Sequence, residues 1–591
     1  MTITSLFTTL GKKTFGEKSG LVCIGKQMRL SLQDVASVAR RNAFVSMILP
    51  PGYNSLNTIR FAITSEKPTY GVDTGFGIFR DIKISIQDLA QLQLNIINSH
   101  DAGIGEYLPL DIVRGMELIR LSALSQGHSG MTAKTLQALT NLINSDIYPL
   151  IPECGSVGAS GDLAPLSALA RVLTGDPRKQ VNYLGRVMNA DEALKIANIE
   201  PIVPAPKEGL GLTNGTSLMA SYLALNLIDM FNIFKNALII NNMAFEARLA
   251  TSDALEPEIH ELRNQTGQQQ VAAVQRELLN NGRGLYTNRL KVQDPYDLRC
   301  SPQIIGPFWE TLRTAANVGT RELTAVTDNP IYLRREAKWA SGGNFHGMTL
   351  AQQMDTLAIS NAGLANLFSS QADAITNPHL SNGLPPCLVY PGSSTGLESS
   401  FMIPQYTIAD LTAQLRFFAN PASIHSISTG GGVENIVSMG RLAGWKLRFS
   451  VDTLFNLLTV QAAITTQALM IRRNIIETKF QNIIGELTKE GSSTTKEEMA
   501  NDPVYQYLLQ KGEVNEQLNQ GVMPDMSFTP ANEAAVNRIL SVAPKNTLPL
   551  KTDTESDFPS LYIAIEKLLR EETIISDVEN ALKARIAQKS R

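Results

Sequence analysis

The stretch from Leu218 to Ile240 constrains the fold of this 591-residue chain more than any other. It is apolar around most of a helical circumference, so a helix built from it must be covered on nearly every side. Asn226, Asp229, Asn232, Lys235 and Asn236 interrupt it. A membrane span tolerates few such groups, and the segment is predicted to be the centre of a helix bundle. Helical spacing recurs at Val451, Leu454, Phe455 and Leu458, and at Leu350, Met354, Leu357, Leu364 and Phe368. Strand signals are few, with candidate hairpins at Leu21–Leu30 around Gly25, Val181–Met188 around Gly185, and Ile331–Ala340. The expected fold class is mainly α, a long central helix bundle with a smaller, loop-rich N-terminal domain. Divisions are expected near Asn214 and Lys479, giving residues 1–213, 214–478 and 479–591. In the last part, Thr488–Asp502 and Lys545–Ser560 read as loops, and Leu561–Ala587 as one charged amphipathic helix.

Charge and cysteine content exclude several function classes. Lys and Arg number 52 against 55 Asp and Glu, a net charge of −3, so no basic excess points to nucleic acid. Cys23, Cys154, Cys300 and Cys387 are scattered without paired spacing, which argues against a disulfide scaffold or zinc site and fits a reducing cytoplasm. Met1–Gly20 lacks the long apolar core of a signal peptide. No metal-ligand pattern and no nucleotide loop are present, so no metal and no external cofactor are expected.

The run Gly155-Ser156-Val157-Gly158-Ala159-Ser160-Gly161-Asp162-Leu163-Ala164-Pro165 carries the chemistry. Its Ala-Ser-Gly core can make an electrophile from the backbone. The Gly161 amide nitrogen attacks the Ala159 carbonyl carbon, closing a five-membered ring, and two waters leave, one of them from the Ser160 side chain. The product is a 4-methylidene-imidazol-5-one (MIO), a methylene conjugated to a carbonyl. Small residues are needed because backbone folds back tightly on backbone. No ordinary side chain is electrophilic, so such a group does work that enzymes otherwise take from a cofactor. Read alone, the run is also an ordinary helix start at Asp162.

The whole string resembles the signature of the aromatic amino-acid ammonia-lyases and their aminomutase relatives, and other motifs follow in that family's order. Tyr70-Gly71-Val72-Asp73-Thr74-Gly75-Phe76-Gly77 resembles the loop with the catalytic tyrosine, which implies Tyr70 as the base for the β-proton. A phenol titrates near ~10, so it needs a positive or donating environment to act as one. Asp73 stands where histidine ammonia-lyases have Asn, and a carboxylate there is expected to raise the phenol's pKa. Gln293-Asp294-Pro295-Tyr296-Asp297-Leu298-Arg299 resembles the carboxylate-binding motif, implying that Arg299 clamps the substrate carboxylate, with Gln293 and Tyr296 nearby. Lys207–Thr216 resembles the stretch that sets an asparagine, here Asn214, beside the prosthetic group. Thr327-Asp328-Asn329-Pro330 and Gly342-Gly343-Asn344-Phe345-His346 complete the pattern, with Asn329 as an active-site amide and Phe345 as a pocket wall.

Within the resemblance, Ser99-His100 before Ala102-Gly103-Ile104-Gly105 stands where histidine ammonia-lyases carry Ser-His, phenylalanine lyases Phe-Leu and tyrosine lyases His-Leu. His100 can hydrogen-bond an imidazole nitrogen, and a site built for a polar group rejects an apolar analogue. His346 and Glu434 also match the histidine lyases, which have His and Glu where phenylalanine lyases have Gln. A departure surrounds Glu434, where Gly431-Gly432-Val433 replaces a more polar run. The chain also continues from Lys479 to Arg591, beyond the usual bacterial length.

The resemblance therefore implies a fumarase/aspartase-like helical bundle, a homotetramer with three chains at each active site, and elimination of ammonia from L-histidine to give trans-urocanate. A tyrosine or phenylalanine ammonia-lyase, a 2,3-aminomutase, and a non-catalytic scaffold of the same fold are the alternatives.

Overall fold

The computed structural model describes residues 20–25, 28–41, 43–49, 53, 55–64, 68–279, 292–394, 396–487 and 529–589. Its helices include α1 (Leu89–His100), α2 (Leu110–Ser125), α3 (Leu163–Leu173), α4 (Glu208–Thr213), α5 (Ser217–Ala247), α6 (Ser301–Glu322), α7 (Met348–Thr376), α8 (Met402–Phe418), α9 (Gly440–Leu487), α10 (Pro530–Val542), α11 (Phe558–Arg570) and α12 (Thr573–Lys589). As expected, the protein is mainly helical.

The apolar segment forms α5, and every residue of it except Ile228 and Asp229 is buried. Helix α9 lies along α5 and α7, and α6 and α8 complete the bundle around them. Both α5 and α9 are long and apolar enough to cross a membrane, but 89% of each apolar window is buried inside the chain. Helix α9 passes residue 478 without interruption.

The polar residues along α5 are docking points for other elements. Asp229 accepts from the two terminal Arg40 nitrogens, at 2.6 and 2.8 Å, and from Arg448 of α9 at 2.9 Å. Asn232 and Asn236 donate to the Arg570 and Leu569 carbonyls, at 3.0 and 3.1 Å, satisfying the open end of α11. Glu246 accepts from the Thr529 amide at 3.1 Å and the Asn532 amide group at 2.7 Å, which caps α10. The C-terminal helices thus complete the core instead of decorating it. Glu246→Ala would leave buried donors without an acceptor, and is expected to lower stability by about 2–4 kcal/mol. An earlier thermal transition would report it, whereas an unchanged melt would mean that α10 docks without this cap.

Two expected hairpins are present. Strands β1 (Gln180–Tyr183) and β2 (Arg186–Asn189) turn at Gly185, and β3 (Ile331–Leu333) pairs with β4 (Lys338–Ala340). The one expected at Leu21–Leu30 is not a hairpin. Leu21–Gly25 pairs in parallel with Phe44–Ile48, and a helix over Leu32–Arg41 lies between them. Gly25 serves close approach: a Cβ there would sit 2.0 Å from the Ile48 carbonyl oxygen. The single helix expected over Leu561–Ala587 is two, α11 and α12, broken at Glu572 with φ +58. The carbonyls just before that break are the ones held by Asn232 and Asn236, so tertiary contact ends the helix where periodicity does not. Lys545–Ser560 is irregular up to the start of α11, apart from one turn at Asp553–Glu555. Thr488–Asp502 lies outside the described residues.

Candidate active site

The Ala159-Ser160-Gly161 loop enters α3 at the point where α1, α3 and α4 pack on one another. Its backbone is left-handed at Gly158, Ser160 and Gly161, with φ of +74, +51 and +80. Gly161 lies against Gly215, and a Cβ on it would meet the Gly215 carbonyl oxygen at 2.2 Å. The Asp162 amide donates to the same oxygen at 2.7 Å. The Asp162 carboxylate accepts from the Leu218 and Met219 amides, at 2.9 and 3.1 Å, and so holds the first turn of α5. Burial pushes that carboxyl up to about 7. The Asn214 side chain donates to the Ser160 carbonyl at 3.1 Å, and the Asn214 backbone carbonyl accepts from buried Arg120 of α2 at 2.7 Å.

Ser160 opens onto two adjoining cavities of about 730 and 610 Å³ that share Tyr70, Gly77, Ser160 and Glu434. Ser99, His100 and Asn214 line the first; Ala159, Asn329, Phe345 and His346 line the second. The Ser160 hydroxyl donates to Glu434 at 2.6 Å. The other Glu434 oxygen accepts from the Thr429 hydroxyl at 3.2 Å. Thr429 and Glu434 also pair as a short antiparallel bridge around Gly430–Gly432, all three with positive φ. The glycines that depart from the family pattern therefore build the turn that aims the carboxylate. Helix α1 ends at His100, whose Nδ1 lies 2.9 Å from the Ser99 hydroxyl. Burial lowers the His100 pKa, which favours the neutral imidazole.

Tyr70 accepts from the Gly77 amide at 3.3 Å, with Phe76 edge-on to its ring at 6.2 Å. Its pKa is raised, first by burial and then by Glu434, while the Gly77 amide and Arg80 oppose the shift. The sequence pointed to Asp73 as the carboxylate acting on this phenol. Instead Asp73 accepts from the Thr69 amide at 2.6 Å and closes the loop's own turn, and Glu434 takes the electrostatic part.

Gln293, Tyr296 and Arg299 are not in this cavity. Gln293 and Arg299 line a separate one of about 260 Å³ with Thr251, Asp253 and Asp294. Arg299 lies over the Tyr296 ring at 4.6 Å, and Tyr296 is 69% exposed. This segment is fastened to the far end of α5: Asp294 accepts from the Thr251 amide at 2.7 Å, and Asp297 pairs with Arg248. Ser160 sits at the other end, beside Gly215 and Asn214. The 31 residues of α5 separate the two groups by about 45 Å.

Sequence reasoning missed Arg120, Thr429 and the structural part of Asp162. Asp162 was legible only as a helix start, and nothing in its local sequence reveals that it reaches a second helix. Lys207 and Asp328 form a fully buried pair at 2.8 Å, and Asp328 accepts from the Asn329 amide at 2.7 Å, which fixes the residue facing the cavity.

The profile described as aromatic amino acid lyase matches residues 30–496. A histidine ammonia-lyase of Vibrio cholerae is 37% identical over 453 residues, covering 76% of this chain and 88% of that protein. Among solved structures, histidine ammonia-lyase from Trypanosoma cruzi superposes with a TM-score of 0.76 at 28% identity, over 95% of this chain and 96% of that one. Phenylalanine aminomutase of Pantoea agglomerans superposes with a TM-score of 0.78 at 26% identity, over 93% and 99%.

Proposed function

The chain belongs to the aromatic amino acid lyase family and is a carbon–nitrogen lyase of the ammonia-lyase kind, and on that premise we propose that it converts L-histidine to trans-urocanate and ammonia, using an MIO made from Ala159, Ser160 and Gly161. The observation that carries the choice of substrate is the meeting of Ser99, His100 and Glu434 with Ser160 and Tyr70 around one opening.

The residues present fit the prosthetic group. Ring closure joins the Gly161 nitrogen to the Ala159 carbonyl carbon, which demands a left-handed, side-chain-free approach. Ser160 and Gly161 have that backbone, and the Gly161 contact with Gly215 leaves no room for a Cβ. The Ser160 carbonyl would become the conjugated carbonyl of the ring, and it already accepts from Asn214. When formed, the group supplies an electrophilic methylene that activates the substrate for loss of ammonia.

The chain's own residues do the rest. His100 and Glu434 face an imidazole as hydrogen-bond partners and set its orientation and tautomer. Phe345 walls the adjoining cavity, where Asn329 offers an amide. Tyr70 takes the β-proton, and its placement against the Cβ–H supplies much of the rate. Arg299, with Gln293 and Tyr296, pairs with the substrate carboxylate from a neighbouring copy in a homotetramer. What supports this is their position at the opposite end of α5 from Ser160, out of reach within one chain.

A second reading has its own observation. Ile78, Phe79, Ile82 and Ile84 also line the first cavity and would suit a phenyl ring, as in a phenylalanine or tyrosine lyase or aminomutase. That ring would offer His100 and Glu434 no polar group and would take water from them, which is unfavourable. Ultraviolet product assays on L-histidine, L-tyrosine and L-phenylalanine in parallel decide the matter. Urocanate from histidine alone is expected. Cinnamate-type or β-amino acid products would overturn the substrate and leave the family reaction in place.

A further inference from the structure

Arg80 belongs to no motif considered so far, yet it lines the cavity that also contains Tyr70, Ser160, Asn329 and Phe345. The other charged side chains along that cavity are Asp81 and Glu434, both acids, so among its described lining Arg80 is the fixed cation. Its ion pairing is loose, 3.9 Å to Asp81, with the two side chains 50% and 90% exposed. A guanidinium so weakly engaged beside a substrate cavity is available to a ligand.

The backbone makes its position definite. Arg80 sits at the tip of an excursion closed at its base by the Thr74–Lys83 bridge and by the Gly75 amide donating to the Ile82 carbonyl at 3.0 Å. The same excursion holds Tyr70, through the Gly77 amide at 3.3 Å, and the Arg80 amide donates to the Gly77 carbonyl at 3.2 Å. The loop that carries the cation is therefore also the one whose backbone amide holds the phenol.

We propose that Arg80 is a second carboxylate-binding residue of the site, so that the loop bearing the base also grips the α-carboxylate of the substrate. The inference rests on the aromatic amino-acid substrate class proposed above. It assigns the carboxylate two cations of different origin: Arg80 from the chain that supplies Ser160, and Arg299 from the far end of α5 of a neighbouring copy. A carboxylate has lone pairs for both.

The test compares ligands that differ only in the carboxylate. Calorimetric binding of L-histidine and of histamine is measured on full-length Ser160→Ala protein, with and without Arg80→Gln, so that no turnover intervenes. Arg80→Gln is expected to weaken L-histidine about tenfold or more, the scale of a charge-assisted hydrogen bond at a half-exposed group, and to leave histamine unchanged. Arg80→Lys should recover part of the loss, since it keeps the charge but not the fork. Parallel weakening of both ligands would make Arg80 a prop of the loop, and no weakening of either would remove it from binding; each result overturns the assignment. If L-phenylalanine and phenethylamine bind in place of the histidine pair, the ring assignment fails. The same carboxylate-selective loss would still uphold Arg80.

Discussion

Ser160→Ala is expected to reduce turnover by at least ~10³-fold on any aromatic amino acid, because no remaining side chain supplies an electrophile of comparable strength. The intact mass should show the difference directly. Wild-type protein should be lighter than its sequence by two waters, and the variant should lack the conjugated methylene that the Ser160 hydroxyl leaves behind. The fold should survive, since the hydroxyl's partner is Glu434 at the rim of the cavity and not a core group. Wild-type turnover by the variant would remove Ser160 from the chemistry. A wild-type mass equal to the full sequence would favour a scaffold that never matures.

Tyr70→Phe is expected to lower kcat by about 10²–10⁴-fold, the usual range for removing a positioned proton acceptor, with little change in substrate affinity. Its pH dependence gives a second reading. A base must be deprotonated to act, so activity rises with pH up to the phenol's pKa. That pKa is raised, with burial the largest cause and Glu434 next, so the rising limb should extend into the alkaline range. Glu434→Gln removes a negative charge and should move the limb to lower pH. Arg80→Gln removes a positive one and should move it higher. His100 adds no opposing limb there, because its own shift is downward. A flat profile, or one unmoved by both charge changes, would exclude Tyr70 as the titrating base.

Much of this site was legible in residue order. Tyr70, His100, Ser160, Asn214, Asn329, Phe345 and Glu434 were each read from local motifs, and they line two adjoining cavities that share Tyr70, Ser160 and Glu434. Local motifs carry such information because each places a side chain on a short, stiff turn. Periodicity was equally informative for α5, α7 and α9, where an apolar stripe persists for many turns. Gly25 misled because a positive φ serves both a turn and a close crossing, and only the distant strand at Phe44–Ile48 distinguishes them. Asp73 misled because proximity in sequence to Tyr70 suggested an electrostatic partner, while Glu434, more than 350 residues away, fills that part. Charges act through space, and a motif reports only neighbours along the chain. The two-ended arrangement was present in the length of α5, but seeing it requires knowing that Asn214 and Thr251 flank one unbroken helix.

The docking of the last helices on α5 bears on how the polypeptide is made. Asn232 waits for Arg570 across 338 positions and Asn236 for Leu569 across 333. At roughly 5–20 residues per second, the ribosome delivers those partners on the order of 17–68 s after the axis helix has emerged. During that interval the part of the axis helix that the last helices cover lacks its partner, and the Asn232 amide has no Arg570 carbonyl to meet. A chain ended just before Leu569 would lack the carbonyls that Asn232 and Asn236 hold, and is expected to be less stable although every proposed active-site residue would be present.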